Sequence, residues 1–112
     1  MRALAVLWTV LVVVGLLAPT ASLPDLGVAT TPDKLIHGAL FTALGALWTL
    51  AFPDHVRAIV AAGLAFAVAT EVGQGVLPVG RSPDLLDGLA DVVGLALGVG
   101  VARWIAARRP AG

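Results

Sequence analysis

The stretch from Glu71 to Asp91 reads EVGQGVLPVGRSPDLLDGLAD, and it interrupts a chain that is almost uniformly apolar on either side. It gathers Glu71, Gln74, Arg81, Asp84, Asp87 and Asp91 around one short Pro/Gly turn. An ionisable side chain inside a membrane segment costs roughly 2.5–3.5 kcal/mol on insertion scales, so it faces protein or water and marks a candidate functional site. The flanking runs read as membrane helices, and this stretch as the polar turn where two of them meet.

Composition points the same way. The 112 residues are 59% hydrophobic and only 12% charged, about half the charged share of an ordinary soluble domain. Seven Lys/Arg balance seven Asp/Glu, which leaves no basic footprint for nucleic acid. Membrane lipids are the expected partners, and a homo-oligomer stays open. Cysteine is absent, which excludes a disulfide framework and a thiolate metal site. His37 and His55 are too few for a His-rich metal centre, and no cofactor is expected.

Outward from the polar stretch, four apolar segments follow one another, at about 3–18, 33–52, 56–77 and 84–107. The first, Ala3 to Ala18, is just below the length of about 17–25 residues expected for a spanning helix. Its competing reading is a secretory signal peptide with Arg2 as the n-region and Ala18-Pro19-Thr20-Ala21 as the cleavage region; a Pro so close to the cut matches that pattern poorly. Thr31-Pro32-Asp33 carries a helix-start signal, with Thr31 as N-cap and Pro32 at the first helical position. Ser82-Pro83-Asp84 repeats it before the last segment. Short connections between apolar segments predict an all-α integral membrane four-helix bundle, a single domain over residues 1–112. Arg2, Arg57, Arg103, Arg108 and Arg109 fall on one side of such a bundle, against Lys34 and Arg81 on the other. The positive-inside rule then places both termini in the cytoplasm and the polar stretch on the extracytoplasmic side.

Helical periodicity brings the polar residues together. Lys34, His37, Phe41, Gly45 and Trp48 recur at steps of three and four along one face of the second helix. Glu71 and Gln74 share a face on the third, and Asp87, Asp91, Gly94 and Gly98 share one on the fourth. At 1.5 Å per residue these groups lie within about 10 Å of the outer boundary, at a common level. Small-residue ridges, Ala90, Gly94 and Gly98 on the fourth helix and Ala61, Ala65 and Ala69 on the third, allow close helix packing. A purely structural account of the charges is a salt-bridged network in which Arg81 and Lys34 neutralise Glu71, Asp87 and Asp91. His55 reads as a solvated turn residue, and Trp8, Trp48 and Trp104 as interface or packing aromatics.

Asp33-Lys34-x-x-His37-x-x-x-Phe41, followed by Glu71-x-x-Gln74, Arg81, Asp87 and Asp91-x-x-Gly94, resembles the VanZ-like family of small bacterial membrane proteins. The similarity covers Asp33 to Gly98, in order and spacing. Its founding member is associated with low-level resistance to the glycopeptide teicoplanin, so the resemblance implies a cell-envelope role in the bacterial cytoplasmic membrane. One position departs from the pattern: Asp91 stands where the family more often has Asn. The added charge implies that Asp91 is paired with Arg81 or Lys34, or is protonated.

Three functions compete. In the first, an outer-leaflet polar pocket formed by Asp33, Lys34, His37, Glu71, Gln74, Arg81, Asp87 and Asp91 binds an amphiphilic or lipid-linked ligand such as a cell-wall precursor or a lipoglycopeptide. In the second, an integral-membrane enzyme acts on a phosphoryl or acyl group, with His37 or Glu71 as general base and Arg81 stabilising an oxyanion. A metal held by Glu71, Asp87, Asp91 and His37 is a variant of that reading. The third, a small proton-coupled transporter, meets apolar inner halves in all four segments. The first is the expectation carried forward.

Overall fold

The structure, a computed structural model, describes residues 1–17, 30–76 and 85–108, without the side chains of 30–34, 75, 85 and 87. Four helices account for nearly all of these residues: α1 (Arg2–Leu17), α2 (Thr30–Ala51), α3 (Val56–Val76) and α4 (Leu85–Arg108). α2 starts at Thr30, so Thr31 and Pro32 fall in its first turn. Pro is tolerated there because the N–H groups of a first turn have no intrahelical partner. The Ser82-Pro83-Asp84 signal expected to open α4 lies outside the described residues.

Side-chain contacts fix how the helices alternate. Arg2 at the start of α1 lies over the ring of Phe52, just past α2, at 4.6 Å. Phe52 in turn meets His55, just before α3, edge-on at 6.0 Å. Arg103 of α4 lines a hollow with His55 and Arg57. One end of the bundle therefore carries Arg2, Arg57 and Arg103, as the charge distribution predicts; Arg109 lies outside the described residues. The opposite end holds Leu16, His37, Gln74 and Asp91. α2 and α4 consequently run parallel, with α1 and α3 antiparallel to them.

Two helical stretches, Val56–Gln74 and Gly88–Arg108, are long and apolar enough to cross a bilayer, while Arg2–Leu17 and Leu35–Ala51 are shorter apolar helices. Length and composition thus support two of the four expected spans directly. Leu7, Val14, Val68, Val72, Leu97 and Val101 all lie exposed on the exterior. Apolar surface of this extent suits lipid rather than water.

The closest pairing is between α2 and α4. A Cβ added to Gly94 would collide with the Gly38 carbonyl, and one added to Gly98 would collide with the Thr42 carbonyl and lie 2.8 Å from the Ala46 amide nitrogen. Gly45 repeats the contact from the other side, its missing Cβ falling 2.7 Å from the Leu95 carbonyl oxygen. Gly38, Thr42 and Ala46 on α2 thus face Gly94 and Gly98 on α4, a small-xxx-small crossing in which backbone meets backbone. The ridge expected on α3 is corrected. Ala61, Ala65 and Ala69 are exposed, whereas Gly63, Ala67, Thr70 and Gln74 are buried. Alanine at every fourth position marks a helix face without saying which neighbour it meets, and lipid accepts Ala as readily as another helix does.

α1 and α3 pack on the sides of this pair. Val12 and Leu16 join Phe41, Leu44, Ala67, Leu95 and Val99 in one buried cluster, and Phe41 and Phe66 bring their ring centroids within 5.7 Å. Trp8 Nε1 donates to the Leu40 carbonyl at 3.0 Å and Trp48 Nε1 to Thr9 Oγ1 at 2.9 Å, tying α1 to α2. Trp104 is exposed beneath the Arg108 guanidinium, 4.3 Å from its ring centroid.

The α2–α4 contact yields a direct test. Gly98→Ala is expected to lower stability in detergent by about 1–3 kcal/mol, the usual range for overpacking, because the obstructing atoms are backbone. Gly100→Ala, whose added methyl meets nothing within 4 Å, is expected to leave stability unchanged or slightly raised. Thermal unfolding of the two variants in one detergent compares them.

Candidate functional site

The α2–α4 crossing decides what happens one turn further toward the end opposite Arg2. His37 precedes Gly38, and Asp91 lies three residues before Gly94, so the backbone contact between those glycines places the two polar side chains face to face. Each is roughly 10 Å along its helix from the first residue. His37 is 1% exposed and Asp91 0%. His37 Nδ1 and Asp91 Oδ1 are 2.8 Å apart. With a carboxylate as acceptor, Nδ1 is the donating ring nitrogen, a tautomer inferred from geometry. Asp91 Oδ2 is also buried, and among the described residues it has no hydrogen-bond partner.

The contact with His37 is one that the sequence expectation, pairing with Arg81 or Lys34 or protonation, does not name. Arg81 lies outside the described residues, as do the side chains of Asp33, Lys34 and Asp87, although the backbones of these last three belong to α2 and α4. Within what is described, the partner of Asp91 is an imidazole. A carboxylate in an apolar bundle needs a donor close by, and the parallel register of α2 and α4 supplies His37.

Gln74 is buried, and its Nε2 donates to the Leu16 carbonyl of α1 at 2.8 Å. The last four carbonyls of a helix lack intrahelical donors, so Gln74 satisfies one of them where water is scarce. That contact alone gives Gln74 a role in the fold. Glu71 lies one turn earlier on the same side of α3 and is half-buried. Four of the eight candidate ligand-binding residues are therefore described: His37 and Asp91 touch each other, Gln74 ties α3 to α1, and Glu71 lies beside Gln74. Among the described residues, no group of three His, Asp or Glu is placed to hold a metal ion.

At the other end lies His55, for which the sequence predicts a solvated turn. The residue is exposed, yet it joins a ring cluster with Phe52 and Trp48, whose rings stack at 5.9 Å. Arg2 completes the cluster from far away in sequence. Only the antiparallel packing of α1 on α2 brings it there, so no local pattern signals it.

A family model described as VanZ/LLP1 matches residues 4–106. The match takes in all of α2 and α3 and most of α1 and α4, a wider span than the motif from Asp33 to Gly98. No curated protein and no solved structure matches the chain.

Unequal consequences are expected from the two ways of altering the buried pair. Removing the donor of a buried carboxylate leaves its charge uncompensated, a loss of about 3–5 kcal/mol for buried pairs, so His37→Leu is expected to unfold readily in detergent or fail to accumulate. Asp91→Asn keeps an oxygen that accepts from Nδ1 and is expected to stay within about 1.5 kcal/mol of the parent, the net worth of an ordinary hydrogen bond. Unfolding midpoints of both variants, measured side by side, check the difference.

Proposed function

The chain belongs to the VanZ/LLP1 family and is a multi-pass membrane protein of helical fold; on that premise we propose that the His37–Asp91 end of the bundle is an extracytoplasmic polar pocket for an amphiphilic or lipid-linked ligand of the cell envelope. The observation that carries this reading is the pair itself. A hydrogen-bonded imidazole and carboxylate are sealed between two apolar helices, an arrangement that adds little stability over well-packed apolar residues of the same size. Ionisable groups retained at such a position mark functional sites.

The orientation rests on Arg2, Arg57, Arg103 and Arg108, which the positive-inside rule assigns to the cytoplasmic side together with both termini. Four membrane crossings follow, and we read α1 as retained, because Trp48 bonds to its Thr9 and Gln74 to its Leu16 carbonyl. In the pocket, Lys34 and Arg81 meet the anionic headgroup of the ligand, which is either a lipid-linked cell-wall precursor or a lipoglycopeptide. Glu71, Gln74, Asp33 and Asp87 orient hydrogen bonds around it. Capture of a glycopeptide's apolar tail, or of the precursor it targets, accounts for a teicoplanin-resistance role.

One feature favours a second reading, an integral-membrane enzyme acting on a phosphoryl or acyl group. A carboxylate hydrogen-bonded to Nδ1 orients an imidazole and stabilises it when it takes up a proton at Nε2, the arrangement of a general base and its orienting group. Arg81 then stabilises the developing oxyanion.

Both readings are tested by teicoplanin susceptibility and membrane expression in a sensitive host, for the parent and for substitutions at Lys34, Glu71, Arg81 and Asp87. Pocket function is expected to give normal expression with lost protection at several of these positions. Asp91→Asn separates the readings: it keeps an acceptor for His37 Nδ1 yet removes the charge that stabilises a protonated imidazole, so lost protection at normal expression favours chemistry and retained protection favours binding. Expression that collapses with each substitution would reduce the constellation to structural glue, and a parent that confers no protection would remove the glycopeptide role.

A further inference from the structure

The end of the bundle that carries Arg2 holds a cavity which the polar site does not use. It has a volume of about 570 Å³, within the range of about 300–1,000 Å³ typical of ligand sites. Leu44, Ile59, Ala62, Gly63, Phe66 and Leu95 line its interior, and Arg2, Phe52 and His55 line its mouth. It exists because α3 packs only sparsely against α1 and α2, and Ala58 and Ala62 present little side chain to close the gap. From His55 to Phe66 the cavity follows α3 for roughly 16 Å at 1.5 Å per residue. That is about the depth of one bilayer leaflet, half of a hydrocarbon core of about 30 Å.

A gap of this size in a lipid-embedded protein has to be filled, since empty apolar space forfeits dispersion contacts along its whole lining. Water is a poor occupant of an apolar wall that offers it few polar partners. Among the described residues no side chain occupies the gap. The charge at the mouth completes the description. Among the described residues this end carries Arg2, Arg57, Arg103 and Arg108 against Asp54 alone. Arg2 is held over Phe52 at the rim itself.

We propose that this crevice holds one acyl chain of an anionic phospholipid from the adjoining leaflet, with the lipid phosphate beside Arg2. The apolar length selects a fatty chain and the arginine cluster selects a negative headgroup. Neither depends on the polar site at the other end or on which face of the membrane the cluster occupies.

The test is native mass spectrometry of the full chain released from bilayers of equal parts phosphatidylglycerol and phosphatidylcholine, with lipid counted per chain. The parent is expected to retain one phosphatidylglycerol. Ala62→Trp fills the crevice and is expected to lose it, while Ala61→Trp, equally exposed on α3 but outside the lining, is expected to keep it. Arg2→Gln is expected to hold a lipid with its headgroup preference reduced about fivefold, the usual contribution of one surface arginine beside anionic lipid. Should Ala62→Trp fail to reach the membrane, Ala58→Phe blocks the same crevice nearer its mouth and carries the same expectation. A parent that retains no lipid, retention that survives the filling substitutions, or equal retention of both headgroups would overturn the proposal.

Discussion

Backbone-to-backbone contact between α2 and α4 is the constraint on which the rest of the molecule depends. Gly94 against the Gly38 carbonyl and Gly98 against the Thr42 carbonyl leave no space for a side chain. In lipid, where apolar helices gain nothing by hiding from water, such close packing is what drives association. It fixes a parallel register, and the register brings His37 of α2 to Asp91 of α4. α1 and α3 then need only cover the flanks, which they do through Trp8, Trp48 and Gln74.

The same constraint divides the bundle into two unlike ends. Toward the His37 end the helices draw together around a buried polar pair. Toward the Arg2 end α3 leaves a gap, and an apolar crevice opens behind a ring cluster and several arginines. Phe41 and Phe66 lie between them, Phe41 one turn below His37 and Phe66 at the floor of the crevice. An amphiphile bound at one end and a structural lipid at the other would therefore be separated by packed aromatic side chains rather than joined by a path.

Much of this was legible in the sequence, for identifiable reasons. The face of α2 carrying His37, Phe41 and Gly45 was readable because a polar residue and a glycine at helical spacing stand out against an apolar background, and Gly94 and Gly98 were readable as a contact ridge for the same reason. The Ala61, Ala65 and Ala69 ridge misled, since small apolar residues serve lipid-facing and helix-facing surfaces alike. The His37 contact of Asp91 was not legible either: charge alone points to Lys34 or Arg81, whose side chains lie outside the described residues, while the α2–α4 register brings in His37. The crevice left no local trace, because it arises from what Ala58 and Ala62 fail to fill and from Arg2, brought in by the packing of α1.

The central claim is that the buried His37–Asp91 pair lies at a ligand site, and histidine-selective ¹⁵N NMR of the parent protein in bilayers tests it most directly. Spectra would be recorded before and after addition of teicoplanin and, separately, of a short-chain prenyl diphosphate, with His55 reporting on the opposite end. The account expects a His37 signal protonated at Nδ1 that shifts with at least one of the two probes, whether or not His55 at the crevice mouth also moves. A His37 signal unmoved by either probe, or a shift confined to His55, would contradict it.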